Sequence, residues 1–327
     1  MTSAVPEIRS HTLSDGDVSV TILSMGAATQ DWRVPDGSGR RVPVVLGYSD
    51  PAAYASQGGF LGVIVGRIAN RIAGSTFTLD GVTHHVTPNE GPNQLHGGPK
   101  GWWAKNWTLE ADGDRAVQLT LSSPDGDMGF PGSVQAQITI SLDGHRLTYD
   151  MSATCDRPTP INLANHNYYN LMGNGPIWDH QMKVSANRFT PTGGDLLPTG
   201  DIAPVEGTKY DYRQMRRIAD ADPARGVSDI NFALNGERDE AVSVLAENGL
   251  QLRMWTDQPG LQFYTGQGIT AGAKPLDGQT HAPCHGIALE PQGFPDAVNQ
   301  PNFPSVICTP EKPYKHVTTV EIAPRME

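Results

Sequence analysis

The sequence predicts an all-β protein, a large antiparallel β-sandwich with a few short helices, and three observations carry that expectation. Apolar and polar residues alternate over many short segments. Three pairs of segments meet at Asp-Gly or Asn-Gly steps, and glycine and proline punctuate the chain at 36 and 26 positions. A period of two gives each strand one apolar face, and two such faces packed together make a sandwich.

Along the chain, strands are expected at residues 18–23, 42–46, 117–122, 182–186, 261–264 and 317–322. Hairpins are expected over residues 77–86, 138–151 and 242–254, turning at Asp80-Gly81, Asp143-Gly144 and Asn248-Gly249. Such pairs tolerate the positive φ angles of a type I′ turn. In the second hairpin Ile138, Ile140 and Leu142 share one face, as do Leu147, Tyr149 and Met151. Asp50-Pro51 supplies a cap and a first helical residue for a short helix, and residues 212–219 suggest another. Gly/Pro-rich connections at 90–101, 123–132, 191–200 and 291–304 are too long for idle turns and are expected to carry function. With no repeat or low-complexity tract to divide it, the chain reads as one domain over residues 1–327.

Charge narrows the partners. Asp plus Glu number 35 against 24 Lys plus Arg, a net charge of −11, and no basic run exceeds Arg216-Arg217. A field of that sign repels phosphate backbones and anionic lipid, so neither nucleic acid nor membrane is expected as a partner. Apolar runs fall short of the ~18 residues needed to span a bilayer, and the first residues lack a basic-then-apolar leader, so a soluble cytoplasmic protein is expected. Cys155, Cys284 and Cys308 are odd in number and scattered, as expected of reduced thiols without a disulfide. A neutral small molecule fits this balance.

Four dense polar clusters are the candidates for chemistry: Gly66–Ile72, with Asn70 and Arg71; Asn93–Gly98, with His96; Asn162–Leu171, with His166; and Leu289–Asp296, with Glu290 and Gln292. Planar side chains with fixed donors and acceptors suit vicinal hydroxyls, which makes a sugar the natural ligand. His166 titrates near neutrality and Glu290 follows an apolar run, so these two are the candidate acid and base. Spacing alone does not bring them together.

In this order the clusters resemble the aldose 1-epimerase, or galactose mutarotase, family. The likeness extends through Gly101-Trp-Trp-Ala-Lys-Asn-Trp107, the Asp125–Gly132 segment, Phe189-Thr-Pro-Thr-Gly193, Gln262-Phe-Tyr-Thr-Gly266 and Pro295-Asp-Ala-Val-Asn-Gln-Pro301. It implies a β-supersandwich, no cofactor and no metal, and a monosaccharide such as galactose or glucose exchanging its anomers within hexose metabolism. Residue by residue it implies His166 as general acid and Glu290 as general base. It also implies Arg71, His96 and Asp229 as sugar-holding residues, with Asn70 and Gln292 from the same clusters beside them. A monomer or homodimer is expected. Protonated His166 and ionised Glu290 would each start in the state their roles require.

The chain departs from the commoner family pattern in three places. The Gly226–Asp229 segment is one residue longer, Gln267 stands where Asn is usual, and Pro291 stands where Thr is frequent. These changes bear on sugar preference and leave the acid and base in place. Trp102, Trp103 and Phe294 are secondary candidates for stacking on a sugar face. His281-Ala-Pro-Cys284-His285 has the residue types of a metal site, but its prolines forbid a helical pair and no fourth ligand is apparent.

Overall fold

The computed structural model describes residues 7–56, 59–236 and 239–325. Among these, nine strands form one antiparallel sheet, in the order Thr108–Asp112, Ala116–Ser123, Val134–Asp143, Arg146–Cys155, Tyr314–Pro324, Leu250–Thr256, Glu240–Leu245, Gln181–Val184 and Arg216–Arg217. A second, six-stranded sheet runs Tyr168–Tyr169, Ile287–Gln292, Gly260–Tyr264, Asp229–Ala233, Arg188–Thr190 and Ala203–Pro204. One continuous core joins them: Ile138, Tyr149, Leu252 and Val320 from the large sheet pack in the same cluster as Phe232, Leu261, Phe263 and Leu289 from the small one. A four-stranded sheet over Ser10–Pro43 contributes Leu13, Val20 and Trp32 to that cluster.

All three expected hairpins form, yet their turns differ. Asp80 and Gly81 both have positive φ, 51° and 79°, as a type I′ turn demands. The second hairpin closes on the Asp143–Arg146 pair, so its turn residues are Gly144 and His145, of which only Gly144 is left-handed; the turn slips one residue toward a II′-like geometry. In the third, Ala246 donates to Leu250 O at 3.0 Å, leaving a three-residue loop that ends on left-handed Gly249.

Two local expectations are corrected. Residues 42–46 are not one strand. Pairing covers Arg41–Pro43, Val44 still donates to Trp32 O, and Leu46 then donates to Tyr168 O, so the segment crosses between sheets. Residues 212–219 are not a helix either: Arg216–Arg217 adds to the edge of the large sheet, and the helix is Ile218–Ala221. The first short helix spans Ala53–Ser56. No helix among the described residues is long and apolar enough to cross a membrane.

Candidate active site

The six-stranded sheet has two unlike faces. Ile287 and Leu289 point into the core, while Glu290 pairs across with Gln262, Gln262 with Asn231, and Asn231 with Thr190. Directly opposed residues share a face, so a row of polar side chains crosses four strands. A second row, Tyr168, Ala288, Tyr264 and Asp229, lies beside it. The burial of all six residues of Ile287–Gln292 explains why no alternation marks this strand in the sequence.

His166 comes from a neighbouring segment whose backbone is held on both sides: its N–H donates to Val63 O at 2.9 Å and its carbonyl accepts from Gly62 at 3.0 Å. The asparagines around it, which sequence composition suggests for sugar hydroxyls, are engaged by the scaffold. Asn162 bonds both the N–H and the carbonyl of Gly293, Asn167 donates to the hydroxyls of Tyr149 and Tyr169, and Asn170 donates to the carbonyls of Gly175 and His285. They fix His166 in place and leave sugar contacts to other side chains.

These elements enclose a cleft of about 340 Å3, lined among others by Phe60, Asn70, Arg71, Glu90, His96, His166, Tyr168, Asp229, Gln267 and Glu290. His166 Nε2 lies 3.5 Å from Glu290 Oε1. The remaining polar atom of each, His166 Nδ1 and Glu290 Oε2, is enclosed without a protein partner. Arg71 grips Glu90 bidentately, Nε to Oε2 at 2.6 Å and Nη2 to Oε1 at 2.8 Å, and reaches Asp229 at 3.5 Å. Gln262 donates to the other Asp229 oxygen at 2.5 Å. One guanidinium thus faces two carboxylates, which leaves no free positive charge at this point for an anionic ligand.

Burial sets the ionisation of the centre. It pushes His166 down to about 4 and raises Glu290 well above the usual carboxylate range, the Glu290 shift reinforced by the Asp229 charge and opposed by Arg71. Asp229 is raised by burial as well, against the pull of Arg71 and Gln262. For Arg71 burial works downward, but the Glu90 hydrogen bond and the Asp229 charge outweigh it and the net direction is up. The expectation of a charged pair at rest is therefore corrected: burial favours the neutral forms of both His166 and Glu290.

His96 is fixed by a reciprocal arrangement with Asn70. Its Nδ1 accepts the Asn70 backbone N–H at 3.1 Å, while the His96 backbone N–H donates to the Asn70 carbonyl at 2.9 Å. Both residues are left-handed, at φ 53° and 61°. Backbone held in this sparsely populated region away from glycine is a feature of constrained sites. Gly97 must follow, because a Cβ there would meet Gly66 O at 2.0 Å. Burial, with His166 and Arg71 nearby, keeps His96 neutral, so its proton sits on Nε2.

His96, His166 and Glu290 are the residue types of a metal site, with one potential ligand atom of each lying within 4.8 Å of the others. The Asn70 bond argues against that use. A ligating histidine ordinarily donates its second ring N–H outward, whereas His96 accepts there and turns a protonated nitrogen away from that bond. The arrangement suits donation to a substrate oxygen.

Arg71, His96, His166, Asp229, Glu290 and Asn70 all line the cleft. Gln292 does not line it: the residue is fully buried on the Glu290 face of its strand, with both amide atoms unpartnered. Trp102 belongs to the core, Trp103 packs on Phe60, and Phe294 packs on Phe303, so the stacking expectation moves to Phe60, which lies 4.6 Å from His96 and 5.8 Å from His166 between ring centroids. Phe60 and Glu90 carry no periodic or motif signal. Glu90 is legible only as an acidic residue in one of the long Gly/Pro loops. Gln267 and the longer Gly226–Asp229 segment form one unit: Gln267 Nε2 donates to Gly226 O at 3.0 Å, and its Oε1 accepts from Thr265 at 2.8 Å.

The sequence pattern of the family described as Aldose 1-epimerase matches residues 9–321. Galactose mutarotase of Sus scrofa is 36% identical over 323 residues, covering 97% of this chain and 94% of that one. Aldose 1-epimerase of Escherichia coli K12 is 36% identical over 314 residues, covering 91% and 90%. Among solved structures, an aldose epimerase homologue from C. elegans superposes with a TM-score of 0.93 at 26% identity, covering 98% of this chain and all of the other. Galactose 1-epimerase from Lactobacillus acidophilus gives 0.82 at 25% identity, covering 97% and 98%.

Proposed function

The chain belongs to the aldose 1-epimerase family and is an isomerase that interconverts sugar anomers, and we propose that it does so by moving protons between the sugar, His166 and Glu290. The observation that carries this reading is the buried pair itself, Nε2 and Oε1 held 3.5 Å apart at the cleft. A hemiacetal has two oxygens on one carbon, and ring opening needs a proton added to the ring oxygen and one removed from the hydroxyl. Two adjacent groups of opposite role serve both oxygens at once.

The proton count explains how neutral resting forms serve the reaction. A neutral pair and an ion pair hold the same number of protons and differ by one transfer. With closed sugar bound, ionised Glu290 takes the hydroxyl proton while protonated His166 gives one to the ring oxygen, leaving the open aldehyde beside a neutral pair. Rotation about C1–C2 presents the other carbonyl face, and reclosure reverses both transfers. Burial disfavours the ion pair and so assists the opening step in which charge disappears. The His96 Nε2–H and Arg71 donate toward the oxygen where charge develops.

Arg71, His96, Asp229 and Asn70 form the sugar-holding set, with Phe60 as its apolar wall. Both Asp229 oxygens are engaged, which disfavours it as a glycosidase nucleophile. The compensated Arg71 disfavours a sugar phosphate. We read the substrate as a neutral aldose such as galactose or glucose. The enzyme works without cofactor or metal, as one domain, monomeric or homodimeric, in cytoplasmic hexose metabolism. The test is polarimetry of freshly dissolved α-anomers. Wild-type protein accelerates mutarotation with or without a chelator, and Glu290→Gln loses about 10²–10⁴ of that acceleration. A folded Glu290→Gln variant at wild-type rate rejects the assignment.

A further inference from the structure

The strand Arg146–Cys155 ends on one thiol, and Cys308 lies in the two-residue strand Ile307–Cys308 that pairs with Thr159–Pro160. Both are free, and 153 residues apart in sequence their Sγ atoms lie only 3.3 Å from each other, closer than an ordinary non-bonded sulfur contact. The sequence gives no sign of this meeting. Cys155 is partly exposed. Cys308 borders a separate surface cleft of about 300 Å3, and burial together with Cys155 pushes its thiol up to about 12.

We propose that Cys155 and Cys308 form a thiol-modification site at which a hydroperoxide installs a reversible disulfide. The Cys155 thiolate attacks the peroxide; its sulfur is oxidised to the sulfenic acid as the O–O bond breaks and an alcohol or water departs. Cys308 sulfur then attacks Cys155 sulfur, the S–O bond breaks, and the Cys308 proton leaves with the hydroxide as water. A dithiol reductant reverses the bond by exchange. Cys284 takes no part.

The bridge would join the roots of both segments that carry the catalytic pair. From Cys155 the chain passes through Thr159–Pro160 to His166; Cys308 closes the segment that begins at Glu290, and Asn162 already ties the two together through Gly293. A cross-link there holds that frame closed when the surrounding structure loosens, so the oxidised protein inactivates more slowly on heating.

The full chain is treated with hydrogen peroxide, alkylated without reduction and mapped by mass spectrometry. The expected result is a linked Cys155–Cys308 peptide with Cys284 alkylated. Dithiothreitol should reverse the link, Cys284→Ser should retain it, and Cys155→Ser and Cys308→Ser should each lose it. Recovery of both thiols alkylated, over-oxidation of Cys155 without linkage, or linkage through Cys284 overturns the proposal. Heat inactivation at equal rates for linked and reduced protein overturns the clamp.

Discussion

His316, on the large sheet, and His166, at the cleft, are equally hidden, and burial pushes both down to about 4, yet they differ in what surrounds their nitrogens. His316 has Nδ1 against the Tyr314 hydroxyl at 3.2 Å and Nε2 against Thr318 at 2.8 Å. His180 is similarly satisfied by Leu171 and Ile177. His166 leaves Nδ1 unpartnered and faces a carboxyl whose second oxygen is also unpartnered. Burial and a lowered pKa are thus shared by structural and catalytic histidines. What sets His166 apart is an unpartnered nitrogen at the cleft beside a carboxyl; an unpartnered nitrogen alone does not mark a site, since buried His281 has two and does not line the cleft.

The largest effects should divide along that line. His166→Gln and Glu290→Gln are each expected to cost about 10²–10⁴ in kcat, with the double variant no slower than the worse single one, because the pair acts as a unit. His316→Gln should lower stability and leave the kcat of the folded protein unchanged; a loss of kcat there would erase the distinction. Next in size, Arg71→Ala removes a charged donor and leaves Glu90 and Asp229 uncompensated. Steady-state kinetics should show kcat/KM down about tenfold to a hundredfold.

Stability sharpens the comparison from the other side. His166, His180 and His316 are lowered to about 4, so between the ordinary value of 6.5 and about 4 the unfolded chain binds protons that the folded chain refuses, and His96, lowered as well, acts in the same direction. Stability is therefore expected to fall as pH drops through that window, read as a falling urea midpoint. Glu290 works oppositely. Its raised pKa costs stability as pH rises, so Glu290→Gln should be more stable than wild type at mildly alkaline pH while nearly inactive. The smallest expected effect is at the cleft rim: Gln267→Ala frees the Gly226 carbonyl and should change KM by about two- to tenfold with kcat retained.

The legibility of the chain follows the same physics. Strands with one wet face, such as Val134–Asp143, are plain in the sequence because alternation records the difference between water and core. The catalytic strand Ile287–Gln292 is covered on both faces and records nothing of the kind; only its motif marks Glu290. Asp-Gly and Asn-Gly steps locate hairpins, but the turn type depends on which cross-strand pair closes, and two of three shift. Arg71 is visible in a cluster, while its bidentate partner Glu90 is set by a loop path that no local pattern encodes. Asparagines near His166 look like ligand contacts because composition cannot tell a bond to scaffold from a bond to sugar.

The pH dependence of kcat/KM for mutarotation tests the shared-proton pair most directly, since that parameter reports the free enzyme. With burial pushing His166 down to about 4, no titration of this histidine falls between about pH 7 and about pH 5, and the profile should stay flat across that interval. A limb centred near 6.5, the ordinary histidine value, would show that catalysis needs a solvated, charged His166 and would contradict the account.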